Sequence, residues 1–338
     1  MIEDAPPAEE IERLEREAVA FRDSVASVRA EVGRAFLGNA GVVDAVLAAT
    51  LAGGHVLLEG VPGLGKTLLV RSLARALGLT FRRVQCTPDL LPSDILGTSI
   101  LAEASGGGRE LRFQKGPVFT HVLLVDEINR ATPKAQSALL EAMQEGAVTA
   151  GDARHALPDP FLVLATENPV EMEGTYPLPE AELDRFLVKI LLQPPGREAL
   201  EEIVQATTGE PLPGPAAVLD EGRVREMRRC VRRVHLPGPV LRWIADLVVA
   251  TQPSRPGSPP AVERFVRWGA GPRAAQALAL LARATALLDG RWNASFEDAR
   301  RNAPAVLRHR LVLSFEAEAE GVTGDAVAAR VLEAVVAR

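Results

Sequence analysis

The stretch Gly60-Val61-Pro62-Gly63-Leu64-Gly65-Lys66-Thr67 decides the reading of this chain. It matches G-x-x-x-x-G-K-S/T, a loop whose glycines let successive backbone N–H groups converge on one anion. The flanks supply the context the motif needs. A short apolar strand, His55-Val56-Leu57-Leu58-Glu59, precedes it, and a helical pattern follows from about Thr67 to Leu77. The helix N-terminus adds partial positive charge at the same spot. On this reading Gly60, Val61, Pro62, Gly63, Leu64 and Gly65 cradle phosphates with their backbone. Lys66 bridges the β- and γ-phosphates, and the Thr67 hydroxyl ligates Mg²⁺. The chain has only four lysines, and one of them stands here.

Outward from the loop, the pattern alternates. A second strand is expected at Phe81 to Gln85, and the runs His121 to Val125, Phe161 to Ala165 and Phe186 to Leu192 have the length of buried parallel strands. With helices between them, they predict an α/β layer fold around a five-stranded parallel sheet. Before the loop, Leu14, Ala18, Phe21, Val25 and Val28 recur at helical spacing within Ile11 to Phe36, and a second helix spans about Val42 to Leu51. Two segments read as insertions. Leu96 to Phe119 predicts a hairpin with a tip at Ser105 to Gly108, and Gly146 to Pro158 predicts another around a Gly-Asp turn. Pro194-Pro195-Gly196 marks a boundary, and the chain beyond it reads as helical. Helices are expected near Glu198–Thr207, Glu221–Val234, Pro239–Ala250, Pro272–Leu288, Phe296–Phe315 and Asp325–Ala337, with Pro-rich loops at Glu210–Pro215 and Gln252–Pro260.

Composition bounds the class. The 338 residues suggest two domains at about 100–200 residues each. Apolar residues at 47% and charged residues at 24% exclude a mostly disordered chain. No apolar run approaches the roughly 18 residues of a membrane span. The acidic start, Met1-Ile2-Glu3-Asp4, is unlike a secretory signal. Cys86 and Cys230 cannot build a disulfide scaffold or a four-thiolate zinc site, so they read as small hydrophobes. The expectation is a soluble, cytoplasmic protein. Net charge is −6, yet Glu221 to Arg310 holds 17 Arg against 7 acids, a local charge of +10. Such a split suits halves or subunits that attract each other, and the arginine pairs at 228–229 and 232–233 read as a wet helix face rather than a nucleic-acid groove.

Further motifs supply chemistry beside the loop. His121-Val122-Leu123-Leu124-Val125-Asp126-Glu127 is a buried strand ending in two carboxylates. Asp126 is expected to hold the Mg²⁺ shell, and Glu127 to polarise an attacking water as general base. Asn168, just past another strand in Ala165-Thr166-Glu167-Asn168-Pro169, offers an amide to the γ-phosphate and the water from the side opposite Lys66. Arg185, in Leu183-Asp184-Arg185-Phe186, and Arg273, in Gly271-Pro272-Arg273, carry the planar, permanently charged group that suits a transferring phosphoryl. Among 34 arginines, each taken alone is equally an ordinary surface residue.

The series GVPGLGKT, HVLLVDE, ATENP, LPEAELDRF and GAGPRA, in that order, resembles the AAA+ ATPases and specifically the MoxR family. Gly53 to Glu59 and Val306-Leu307-Arg308-His309-Arg310-Leu311 resemble it too, and the likeness runs from about Phe36 to the C-terminus. The resemblance implies ATP and Mg²⁺ as ligands, with the loop as Walker A, Asp126 and Glu127 as Walker B, and Asn168 as sensor 1. It makes Arg185 a finger reaching a neighbouring subunit's ATP and Arg273 the sensor 2 of the lid. It also implies an AAA+ core at 36–194 (helix-2 insert 96–119, pre-sensor-1 hairpin 146–158), an N-terminal helix at 1–35 and an all-α lid at 195–338. The family further implies a hexameric ring that remodels a protein client in chaperone fashion with a von Willebrand factor A domain partner, and neither a membrane span nor nucleic acid. One departure is Gly271 where serine is expected before Pro-Arg, which loosens the start of the lid helix.

Two rival readings share the phosphate loop. A DNA motor related to AAA+ helicases lacks support from zinc-finger, helix-turn-helix or stacking aromatic signals, aromatics being 4% of the chain. A small-molecule P-loop kinase has no need of Arg185 in trans. His155 and His235 have no second ligand at metal spacing, His55 and His121 are expected to cap strand starts, and Trp243, Trp268 and Trp292 are expected in the lid core.

Overall fold

Apolar runs without a polar side can be buried only between two layers, and such runs fill the middle of one five-stranded parallel sheet here, whose edge strand Phe81–Gln85 is mostly polar. The computed structural model describes residues 8–103, 109–150, 153–170, 174–209, 214–255 and 258–336. It begins with α1 (Ala8–Ala35) and α2 (Ala40–Ala52), followed by β1 (Val56–Glu59), α3 (Lys66–Ala76) and β2 (Phe81–Gln85). Then come α4 (Pro92–Leu96), β3 (Gly97–Glu103), β4 (Arg109–Lys115), β5 (Val122–Asp126), a 3-10 turn at Ile128–Arg130 and α5 (Pro133–Glu145). The sheet half finishes with β6 (Ala147–Ala150), β7 (Ala153–Ala156), β8 (Leu162–Glu167), α6 (Glu180–Leu183) and β9 (Val188–Leu191). Beyond it lie α7 (Arg197–Thr207), α8 (Glu221–Arg233), α9 (Gly238–Ala250), α10 (Pro260–Phe265), β10 (Val266–Trp268) and α11 (Pro272–Leu288). The last elements are α12 (Phe296–Leu307), β11 (Val312–Leu313), α13 (Phe315–Ala319) and α14 (Gly324–Ala334).

The strand order is β2-β5-β8-β1-β9, so β1 lies between strands that follow it in sequence. Its carboxyl end therefore opens into a crevice of the kind parallel sheets use for ligands. Alternate residues face opposite layers. Val56, Leu58, Val122, Leu124 and Leu164 pack with α1, α2, α3 and the later helices, whereas Leu57, Leu123, Val125 and Val163 pack with α5. Both predicted insertions are antiparallel hairpins, β3 with β4 and β6 with β7, and their expected tips at 105–108 and 151–152 lie outside the described residues. Helix α1 buries Ala18, Phe21, Val25, Val28 and Val32 and packs on α2, α3 and α11, joining sheet half to helical half.

Several expectations are corrected. The region after Gly196 is mostly but not entirely helical, because β10 and β11 form an antiparallel ribbon. The helix expected from Phe296 to Phe315 ends at Leu307, where the chain turns so that residues 308–310 meet the sheet half. The last helix stops at Ala334, and Ala337 lies outside the described residues. Parts of the two Pro-rich loops, 210–213 and 256–257, also lie outside them. Strand β9 begins at Val188 rather than Phe186, leaving Arg185 in the turn before it. Trp243 is buried and Trp292 half-buried, but Trp268 is 62% exposed. Arg228 is not on a wet face: it turns inward, donates Nε to Thr50 O at 3.0 Å, and with Arg225, Arg229, Arg232 and Asp159 lines a cavity of about 190 Å³. No helix among the described residues is long and apolar enough to cross a membrane, and no group of three metal-ligating side chains occurs among them.

His55 knits β1 to its surroundings. Its Nδ1 accepts the Val163 N–H at 3.0 Å, and its Nε2 lies 3.3 Å from Met143 O. Burial lowers its pKa to about 4, with the Met143 bond opposing and the charge of Arg228 reinforcing. His309 is likewise driven well below its ordinary value, by burial and then by Arg310. Both folded values lie under the unfolded 6.5, so between them the unfolded chain binds more protons and stability falls as pH drops. Each imidazole is expected to remove up to about 1 kcal/mol per pH unit below 6.5. Urea midpoints at about pH 7.5 and about pH 5 measure this, and His55→Gln is expected to flatten the dependence.

Candidate nucleotide site

Gly60 to Gly65 leave the carboxyl end of β1, and Lys66 opens α3. Gly63 and Gly65 adopt φ of 86° and 77°, a region that side chains disfavour, which gives the loop its curl. The Lys66 ammonium donates to Gly60 O and, at 3.4 Å, to Glu167 O. Burial lowers its pKa, while Asp126, Glu127 and Glu59 act the other way.

Asp126 ends β5 and is 8% exposed. Its Oδ2 accepts from Thr67 Oγ1 at 3.4 Å and from Arg83 at 3.0 and 2.7 Å, and its Oδ1 accepts from Thr166 Oγ1 at 2.6 Å. Thr166 Oγ1 in turn accepts the Glu127 N–H at 2.8 Å, so one hydroxyl on β8 ties the Asp126 carboxylate to the Glu127 backbone. Glu127 holds φ 58°, a left-handed conformation costing about 1 kcal/mol in a non-glycine residue. Its Oε2 accepts from Gln85 Nε2 at 2.9 Å and lies 3.4 Å from Arg130. Asn168 follows β8 and is 3% exposed; its Oδ1 accepts from Val170 N at 3.1 Å, and its buried Nδ2 has no partner among the described residues. The site thus gathers Lys66, Thr67, Asp126, Glu127 and Asn168 at the carboxyl ends of β1, β5 and β8.

These groups fit a magnesium nucleotide. Mg²⁺ takes hard oxygen ligands, which Thr67 and Asp126 present side by side, and the Arg83 guanidinium already supplies positive charge at that carboxylate. Phosphate takes N–H and ammonium donors, which the loop and Lys66 present, and the unpaired Asn168 amide is a further donor.

The two arginines lie elsewhere. Arg185 donates to Leu140 O at 3.2 Å and to Gln144 on α5, and its buried Nε has no partner among the described residues. Arg273, the second residue of α11, lies 3.7 Å from Asp184 Oδ2, and its helix starts at Gly271 with no side-chain cap, as expected. Both line one cavity of about 250 Å³ with Gly54, Asp184 and Arg310. Gly54 and Asp184 precede β1 and β9, so this cavity is at the amino ends of the strands. The four residues of β1, at about 3.3 Å each, separate it from the phosphate loop.

Sequence reasoning missed Arg83, Gln85, Thr166 and Lys189. Lys189 pairs with Glu59 at 2.5 Å and with Glu167 at 3.2 Å, holding the strands that flank the loop. The signal for Arg83 and Gln85 is sheet register: Gln85 stands opposite Asp126, which places these two residues of β2 beside the carboxylates. Cys86, next in sequence, is buried, and burial pushes its thiol up to about 12, as suits a small hydrophobe.

Comparison with known proteins agrees with this geometry. Residues 55–188 match the ATPase family associated with various cellular activities (AAA), and residues 260–331 match the AAA lid domain. The chain is 42% identical over 305 residues to Chaperone MoxR1 of Mycobacterium tuberculosis, covering 90% of this chain and 80% of that one. It is 33% identical over 311 residues to Protein MoxR of Methylorubrum extorquens, covering 87% and 89%. A crystal structure of a Cytophaga hutchinsonii protein described as an ATPase superposes with TM-score 0.89 at 40% identity, covering 97% of this chain and 99% of that one. A phosphate loop on a β2-β5-β8-β1-β9 sheet, a mostly helical lid and these relatives agree: the chain belongs to the MoxR family of AAA+ ATPases.

Proposed function

We propose that this chain hydrolyses ATP with Mg²⁺ inside a ring of identical subunits, hexameric by family resemblance, and uses the cycle to remodel a protein client. The observation that carries the reading is the separation just described. One end of the sheet holds Lys66, Thr67, Asp126, Glu127 and Asn168, and the opposite end holds Arg185 and Arg273. A pocket that lacks Arg185 and Arg273, in a chain that presents these two arginines at the other end of its sheet, is completed by a neighbour. Arg273 therefore joins Arg185 in serving the adjoining subunit's nucleotide, rather than closing over its own.

Within that pocket the loop N–H groups and Lys66 bind and orient the phosphates. Thr67 and Asp126 would hold Mg²⁺, which would supply charge neutralisation to the phosphates. Glu127, its backbone fixed by Thr166, takes the proton of the attacking water, and Asn168 orients that water with its amide. Gln85 donates to one oxygen of the Glu127 carboxylate and orients it. A protein client and a von Willebrand factor A domain partner follow from the family resemblance. Phe36 to Pro194 would serve as the ATPase core and the residues after it as the lid.

Turnover per chain that rises with protein concentration, alongside assembly on size exclusion in ATP, is the expected result. A strict monomer with undiminished turnover would refute the ring. Lys66→Ala is expected to weaken ATP affinity by about tenfold or more, through loss of a charge-assisted contact. Titration with a fluorescent ATP analogue measures it, and unchanged affinity would put the site elsewhere.

A further inference from the structure

Three consecutive lid side chains grip the turn that carries Arg185 and the start of β9 after it. Arg310 is 7% exposed and donates Nε to Asp184 Oδ1 at 2.7 Å, with further bonds to Asp184 O at 3.2 Å, Phe186 O at 2.7 Å and Leu187 O at 3.1 Å. His309 Nε2 lies 3.1 Å from Phe186 O, and Arg308 donates to Lys189 O at 3.1 Å. The backbone on both sides of Arg185 is thus fixed from the lid, whereas its own guanidinium rests on α5. A planar five-donor group can serve a carboxylate and three carbonyls at once, and an ammonium cannot.

We propose that Arg310 is the positioning residue for Arg185, so that the docking of the lid on residues 184–187 sets whether Arg185 can reach a neighbouring subunit's nucleotide. The inference rests on Arg185 acting in trans. Arg273 beside Asp184 places a second lid guanidinium on the same carboxylate, so the turn follows the lid from two sides.

The test is Arg310→Lys, which keeps the charge opposite Asp184 and loses the carbonyl bonds. ATP turnover is expected to fall about tenfold or more, with ATP affinity within about twofold of the parent. A purely structural role predicts the same loss, so the variant is then mixed with Lys66→Ala subunits, which lack a working loop but supply a sound Arg185. By random mixing about one interface in four pairs a sound pocket with a sound finger, and turnover is expected to rise above the sum of the two variants alone. A parallel mix of Arg185→Ala with Lys66→Ala is the control. Recovery in the control without recovery for Arg310→Lys overturns the positioning role. Failure of both mixes overturns the trans reading of Arg185 and this inference with it. Full turnover by Arg310→Lys alone also overturns it. Should that variant not fold, Asp184→Asn, which removes the carboxylate that Arg310 and Arg273 share on the turn, goes through the same mixes under the same criteria.

Discussion

Arg185→Ala is expected to lower ATP turnover by about 10³–10⁵ while ATP affinity stays close to that of the parent. The size follows from what a guanidinium does at a transferring phosphoryl: it offsets charge that develops only in the transition state, so its loss appears in kcat and not in binding. The ground state is little affected, because Arg185 lies across the sheet from its own phosphate loop. Losing its bonds to Leu140 O and Gln144 removes about 1 kcal/mol of stability each, too little to unfold the chain. Arg185→Lys is expected to restore little, since an ammonium lacks the planar fork. Phosphate release and nucleotide titration on the same preparation separate the two quantities. Parent-like turnover in Arg185→Ala would remove the arginine from the reaction.

Glu127→Gln is the second large effect. Removing a general base costs about 10²–10⁴ in rate, and the amide preserves the shape of the side chain. The backbone at φ 58° and its bond to Thr166 Oγ1 do not depend on the carboxylate, so the loop, Asp126 and Lys66 keep their places. The variant is therefore expected to bind ATP and hold it. Rapid filtration with labelled ATP would show stoichiometric retention, and phosphate release at the parental rate would exclude Glu127 as the base. On the proposed remodelling role, retention also makes this variant a bait for a client, because a remodelling protein arrested with ATP is expected to keep its substrate.

Much of the sheet was legible because its strands are buried on both faces. Val56-Leu57-Leu58 and Val122-Leu123-Leu124-Val125 carry no polar residue that could face water, and the glycine motif then fixes which strand end holds the site. Chemistry that depends on alignment between strands was not legible. Arg83 and Gln85 look like the exposed side of an edge strand until register sets them beside Asp126 and Glu127. The ribbon Val266–Trp268 with Val312–Leu313 is too short to display a period of two, so the expected helix from Phe296 overran Val312–Leu313 and no element was expected at Val266–Trp268. Arg273 was assigned from its motif, yet its proximity to Asp184 arises from the way α11 and α12 dock on the sheet half, and no local pattern encodes that docking. The Arg308-His309-Arg310 run likewise read as the tail of a helix. Its role emerged only where the chain stops being helical to meet residues 184–189.

The placement of the tryptophans has an optical consequence. Trp243, Trp268 and Trp292 all lie beyond α7, and the sheet half contains none, so emission excited at the red edge of indole absorption originates wholly from the lid region. Trp243 is packed edge-on to Phe296, Trp292 lies under the Arg233 guanidinium, and Trp268 is in solvent. A quencher dissolved in the buffer would reach Trp268 first, so a change in its quenching when ATP is added would record, without any label, the lid exchanging water for another surface.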